Sequence, residues 1–199
     1  MWMAVACILI AYLIGSISSA YIISRLFGYP DILAERDGRI SAATVFRKAG
    51  FFPFILVVVM DISLAVSAVT VARILTGSRD MMMLAGLAAV AGHNWSLFLR
   101  FRGGLGATAI CGALGAVVYP QLVWGLGAAG LIFLLTLRPG ISTIGGIITT
   151  SAALLIQSGF GFIALFPLAL MGLMLGKRAQ VFRSARVAVR SKIISRASG

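Results

Sequence analysis

Five long stretches of this chain are almost free of charge, and their length limits the fold more than any other feature. Residues 1–24 carry no charged side chain, residues 51–72 carry only Asp61, and residues 81–99 carry none. Residues 103–137 and 139–176 then run uncharged on either side of Arg138. A helix needs roughly 20 apolar residues to cross about 30 Å of hydrocarbon. Backbone groups inside a bilayer must bond one another, which leaves helix bundles or closed barrels. The apolar runs do not alternate with period two, so helices are expected. Composition agrees, because 60% of the residues are hydrophobic and only 11% are charged. A soluble domain carries about 25% charged residues.

The last two runs are too long for one crossing each. Tyr119-Pro120-Gln121 predicts a break in the first, since proline ends helices and restrains the residue before it. Gln157-Ser158-Gly159 predicts a break in the second. The expectation is therefore an all-α polytopic membrane protein of seven transmembrane helices, in which spans four and five are short and a tilted or re-entrant segment is open. With the N-terminus outside, fifteen of the seventeen basic residues fall on the cytoplasmic side and only Arg73 and Arg79 outside. The positive-inside rule then predicts a cytoplasmic C-terminus. Residues 1–176 form the membrane domain on this reading, and 177–199 a basic cytoplasmic tail, either a surface-lying amphipathic helix or a frayed end. Ser18-Ser19-Ala20 resembles a signal-cleavage site. No basic residue precedes the apolar run, however, and the run is longer than a signal core, so span one is expected to stay.

Cys7 and Cys111 lie in apolar segments and form no disulfide framework or metal spacing. The net charge of +12 has two readings, a topological bias and an attraction to anionic lipid or phosphorylated substrates. Asp61 lies about 15 Å into span two and His93 about 10 Å into span three at 1.5 Å rise per residue. Ionisable groups at that depth need a partner. A hydrogen bond between the two satisfies both, as an interhelical clamp or as part of an active site. Arg102-Gly103-Gly104-Leu105-Gly106 follows directly. Bare glycines let backbone N–H groups converge on an anion, and arginine adds a bidentate phosphate donor. The same glycines also suit close helix packing.

The stretch Gly92-His93-Asn94-Trp95-Ser96-Leu97-Phe98-Leu99-Arg100-Phe101-Arg102-Gly103-Gly104-Leu105-Gly106 resembles the block G-H-x-F-P-x-F-L-x-F-K-G-G-K-G of the bacterial acyl-phosphate:glycerol-3-phosphate acyltransferases, the PlsY type. Residues Ala11 to Tyr21 resemble that family's opening, Y-L-x-G-S-I-P-x-A-Y. The likeness covers nearly the whole chain. It implies a membrane enzyme that moves a fatty acyl group from acyl phosphate to glycerol 3-phosphate, or a related phosphorylated polyol. The product is lysophosphatidic acid for phospholipid synthesis. The resemblance further implies no cofactor, no metal, no acyl-CoA and no nucleic acid, and an active site on the cytoplasmic face of the inner (plasma) membrane. It leaves oligomeric state and acyl length open.

Several motif positions depart from the family. The first cytoplasmic loop, G-S-G-N-x-G-A-T-N-V-x-R-x-x-G in the family, keeps Gly38, Ala42, Val45, Arg47 and Gly50. Asp37 takes the serine position, and Arg39 and Thr44 take the asparagines. Leu64 and Ala65 replace the lysine and glycine of D-x-x-K-G. Arg102 replaces the first loop lysine, and Leu105 removes the second. Ser142-Thr143 stands for a serine pair, and Lys177-Arg178-Ala179-Gln180-Val181 for H-R-x-N-I. The resemblance then implies roles residue by residue. Arg102, Gly103, Gly104 and Gly106 bind the donor phosphate and its developing charge. Arg47, with Arg39, binds the acceptor phosphate. His93 and Asp61 shape the pocket, which Ser142, Thr143, Lys177, Arg178 and Gln180 complete. No serine, histidine and acid spacing points to a covalent acyl-enzyme, so direct attack by the acceptor hydroxyl is expected. Two other readings stand beside this one. The lost lysines suit a lipid- or anion-binding regulatory relative without catalysis, and the basic loops permit a small-anion transporter, although no inverted repeat is evident.

Overall fold

The structure, a computed structural model, describes residues 2–29, 40–159 and 161–197. Every regular element among them is helical: α1 (Trp2–Ser16), α2 (Ser19–Leu26), α3 (Ala42–Ala49), α4 (Phe51–Thr76), α5 (Arg79–Asn94), α6 (Ala107–Thr136), α7 (Pro139–Ser158) and α8 (Phe162–Ala197). A single 3-10 turn, Leu97–Leu99, lies between α5 and α6. Among the described residues, five segments are long and apolar enough to cross a membrane: Trp2–Leu26, Phe51–Thr76, Ala107–Thr136, Pro139–Ser158 and Phe162–Ser184. The expected third span at 81–99 is shorter as a helix, because α5 has 16 residues and the chain turns at Trp95.

The helix boundaries follow local chemistry. Ser18 caps α2 by accepting from the Tyr21 amide, and Ser78 caps α5 by accepting from Met81; a side-chain oxygen there satisfies a donor that the helix cannot. Gly77 closes α4 with φ of 61°. The break expected at residues 119–121 falls one residue earlier, at Val118, whose φ of −136° and ψ of 46° leave the helical region. Pro120 follows in the first turn of the second arm, where its missing N–H costs least. The two arms of α6 turn back on each other. Ala107 and Ala129 line one cavity, whereas 22 residues of straight helix span roughly 33 Å. The break expected after Gln157 is present, since α7 ends at Ser158 and α8 begins at Phe162. The side-chain amide of Gln121 donates to Gln157 at 2.6 Å, joining the turn in α6 to the end of α7.

Small residues set how closely the helices pack. A Cβ placed on Gly15 would run into the Ala89 carbonyl, and one on Gly92 into the Tyr12 carbonyl, so α1 and α5 cross with their backbones in contact. Ala11, Ala68, Ala72, Ala85 and Ala89 fill the same seam. Without a large hydrophobic drive between helices in lipid, such close packing supplies the association. The main core gathers Val69, Val90, Ile110, Leu114, Leu154 and Leu170 from five helices. The position 176/177 lies inside α8, which continues without interruption to Ala197.

Candidate functional site

The segment from His93 to Gly106 is the hub of one end of the bundle. α5 stops at Asn94, and the chain makes a tight excursion in which Arg100 and Phe101 both adopt positive φ, 53° and 61°. Non-glycine residues adopt that region rarely and at a cost. Two backbone contacts hold the excursion shut: the Phe101 amide donates to the Ser96 carbonyl at 2.8 Å, and Ser96 and Arg102 form an antiparallel bridge. The loop then folds back over the end of α5. The Gly104 amide donates to the His93 carbonyl at 3.3 Å.

The glycines are required by this return. A Cβ on Gly103 would overlap the His93 carbonyl, one on Gly104 would lie 2.6 Å from His93 Nε2, and one on Gly106 would lie 2.5 Å from Asn94 Oδ1. Close packing and anion binding were alternatives in the sequence. The first is visible in the contacts, and it commits the Gly104 amide to His93. Gly106, with φ of 79°, precedes α6 and caps it without a side chain. The N-terminus of α6 thus lies at the loop without a side-chain cap, and a helix start carries amides with no intrahelical partner and the positive end of the helix dipole.

Asp61 is 2% exposed, and its partners differ from the expected one. The Ser19 hydroxyl donates to one carboxylate oxygen, and the Thr108 hydroxyl donates to the other at 2.5 Å. His93 Nδ1 stands 3.7 Å from Asp61, beyond hydrogen-bond length. The expected Asp61–His93 hydrogen bond is thus replaced by two hydroxyl donors, with the imidazole in a looser electrostatic contact. The two hydroxyls come from helices remote in sequence, which is why no spacing pointed to them. Through these contacts Asp61 ties α2, the start of α6 and His93 to α4, directly beneath the glycine loop.

α8 covers the loop from the other side. Lys177 Nζ donates to the Phe101 carbonyl at 3.4 Å and lies 5.4 Å from the centroid of the Trp95 ring. Trp95 is itself fixed, because its indole N–H donates to Gln180 Oε1 at 2.8 Å and its carbonyl accepts from the Tyr12 hydroxyl at 2.6 Å. Arg178 lies against the start of α7, with its guanidinium 2.8 Å from a Cβ position on Gly140. Ser142 and Thr143, on the first turn of α7, bond the carbonyls of their own helix at Arg138 and Pro139. Arg102 is exposed on the loop, and Arg47 is exposed in the last turn of α3. The α3 segment reaches the loop through Ile40, whose carbonyl is 3.5 Å from a Cβ position on Gly104. Arg39 lies outside the described residues.

The structure therefore gathers Asp61, His93, Gly103, Gly104, Gly106, Lys177 and Gln180 into direct or one-residue contact. Ser142, Thr143 and Arg178 form a second group at the start of α7. Sequence reasoning missed the contacts of Ser19, Thr108, Asn94, Trp95 and Tyr12; the stretches 11–21 and 92–106, which hold all of these but Thr108, were marked as motifs and not as contacts. An apolar cavity of about 120 Å³ begins beside this assembly, at Ala107 and Thr143, and continues past Ile110, Cys111 and Leu122. Among the described residues no cluster of His, Cys, Asp and Glu can hold a metal ion.

Fold and site together define an all-helical integral membrane protein whose glycine loop, with Arg102 on it and Lys177 against it, closes one end of the bundle. A profile of the glycerol-3-phosphate acyltransferase family matches residues 5–185, and the chain belongs to that family. A glycerol-3-phosphate acyltransferase of Shouchella clausii is 33% identical over 162 residues, 79% of this chain and 78% of that one. One of Pseudomonas putida is 32% identical over 167 residues, 84% and 87% of the two chains. Glycerol-3-phosphate acyltransferase 2 of Moorella thermoacetica is 39% identical over 125 residues, and the match spans 62% of each chain. The crystal structure of PlsY (YgiH), an integral membrane glycerol 3-phosphate acyltransferase, superposes in its glycerol 3-phosphate form with a TM-score of 0.80. The identity is 23%, over 93% of this chain and 92% of that one. Its lysophosphatidic acid form gives 0.70 at 25% identity, over 97% and 93%. These relatives do not favour the non-catalytic reading.

Proposed function

We propose that the protein is a membrane enzyme of phospholipid synthesis that transfers a fatty acyl group from acyl phosphate to glycerol 3-phosphate, releasing lysophosphatidic acid and inorganic phosphate. One observation carries this reading. The glycine loop and the start of α6 meet, at Ala107, the mouth of an apolar cavity lined by Ile110, Cys111 and Leu122. An acyl phosphate needs both environments, anion donors for its head and an apolar slot for its tail, joined at the reacting carbon.

Arg102, Gly103, Gly104 and Gly106 hold the donor phosphate, and the α6 N-terminus adds amides and dipole. Arg47 and Arg39 take the acceptor phosphate. Ser142, Thr143, Lys177, Arg178 and Gln180 complete the polar lining. His93 and Asp61 act as positioning residues, because both sit behind the loop. The acceptor hydroxyl attacks the acyl carbonyl carbon. A new ester C–O bond forms as the C–O bond to phosphate breaks, and the phosphate leaves with the hydroxyl proton. Catalysis comes from positioning and from positive charge facing the leaving phosphate.

The same reading places the site on the cytoplasmic face of the inner membrane, with seven crossings and the N-terminus outside. The turn of α6 at Val118 supports the count, because the two arms then cross separately and α5 supplies another crossing. The concentration of basic residues at the loop, Arg138 and α8 supports the orientation. The test is acyl transfer by purified protein from palmitoyl phosphate to labelled glycerol 3-phosphate. Lysophosphatidate formed by the parent and lost in Arg102→Ala is the expected result. Absence of product from well-folded protein overturns it.

A further inference from the structure

Lys177 is 5% exposed. Its ammonium meets one protein acceptor, the Phe101 carbonyl at 3.4 Å, and one aromatic face, that of Trp95. Among the described residues no carboxylate pairs with it. An ammonium has three N–H donors, and burying it costs several kcal/mol unless an opposite charge compensates. A long bond to a single carbonyl and a ring face compensate only part of that. The position is therefore built for an anion.

α8 touches the loop near both of its ends. Lys177 reaches Phe101, just before Arg102. Leu173, one turn earlier, accepts through its carbonyl from Asn94 Nδ2 at 3.4 Å. Asn94 in turn supports Gly106, and its Oδ1 is buried without a partner among the described residues. The segment 101–106 is thus seated along α8 between two contacts one turn apart. Leu105, within it, brings no charge. We propose that Lys177 supplies from α8 the cation that the loop lacks at Leu105, and that it binds the phosphoryl group of the acyl donor. Trp95 aims it: the indole is locked by Gln180 and its carbonyl by Tyr12, so the lysine stem lies on a fixed plane. As the acyl C–O bond breaks, the departing phosphate gains negative charge directly opposite this buried ammonium.

This inference rests on the acyltransferase reading for its substrate, but its binding test does not. Lys177→Met keeps the apolar stem and removes the charge. In protein held in detergent, inorganic phosphate affinity should fall about 100-fold, and kcat/KM for palmitoyl phosphate should fall at least as far. The KM for glycerol 3-phosphate should hold within about threefold. Adding Leu105→Lys to that variant should recover about tenfold or more of both losses, while Leu105→Lys alone changes little. An unchanged or raised melting temperature of Lys177→Met shows that the fold is intact. Unchanged phosphate affinity in Lys177→Met overturns the proposal. So does a folded double variant no better than Lys177→Met, or a KM rise confined to glycerol 3-phosphate. Lys177-dependent phosphate binding by a parent protein that makes no lysophosphatidate supports the site and sinks the acyltransferase reading instead.

Discussion

Gly104 shows how little room the site leaves to a single residue. The 2.6 Å separation between a Cβ there and His93 Nε2 is below any real contact, so Gly104→Ala must move the imidazole or the loop. A displacement of about 1 Å at a reacting centre costs on the order of 100-fold. Gly104→Ala is expected to lose that much in kcat/KM while its melting temperature changes little, because the loop is at the end of the bundle. Asp61 predicts the opposite profile. Asp61→Ala leaves the buried Ser19 hydroxyl and the half-buried Thr108 hydroxyl without their acceptor, at about 1–3 kcal/mol for the buried one and less for the other. Asp61→Asn keeps an acceptor for one of them. Thermal unfolding in detergent should rank the parent above Asn and Asn above Ala. Equal melting temperatures for all three would remove Asp61 from its role as the pin between α2, α4 and α6.

Among the elements, α8 joins the membrane bundle to the site. Its 36 residues measure roughly 54 Å at 1.5 Å per residue, well beyond the hydrocarbon thickness of about 30 Å. Lys177, Arg178 and Gln180 lie on the part that still packs against the loop and the start of α7. A chain truncated after Ser184 is therefore expected to keep most of its acyl transfer. One truncated after Gly176 loses the three side chains and should lose activity by at least two orders of magnitude, about the effect of removing a charged donor and its neighbours. Measuring both truncations at matched expression separates the helix that builds the site from the basic extension beyond it. The sequence marked a change of composition at residue 177 but not the continuity of the helix. Charge begins there because the chain leaves the hydrocarbon, and a helix need not end where its solvent changes.

For the whole molecule, the fold places polar chemistry at one end and an apolar slot beside it. The slot lies between the two arms of α6 and α7, with Cys111 and Ala129 in its walls. Cys111→Trp or Ala129→Leu fills it, and the preferred acyl phosphate should shift toward shorter chains, read as the ratio of kcat/KM for dodecanoyl over hexadecanoyl phosphate. An unchanged ratio would move the acyl chain elsewhere in the bundle. Topology is testable at the same scale: a C-terminal fluorescent reporter should mature in the cytoplasm, and a C-terminal alkaline phosphatase should stay inactive. An active phosphatase would invert the orientation and the side on which the site opens.

The helical membrane class, the break in residues 103–137 and the loop from His93 to Gly106 were legible in the sequence. Each depends on local signals: apolar length, proline, and a motif whose glycines are consecutive. The family was legible for the same reason, since its most specific block is contiguous. Tertiary structure alone decided the partners. Ser19 and Thr108 on Asp61 and Trp95 under Lys177 are meetings between helices far apart in sequence. Each short polar side chain has several possible partners in an unfolded chain. Only the packing of backbones at Gly15, Gly92 and the loop glycines selects one. A charge lost at Leu105 reads, in one dimension, as a damaged motif. In three dimensions a helix from the other end of the chain brings an ammonium to the same loop, because electrostatics acts through space and not along the backbone.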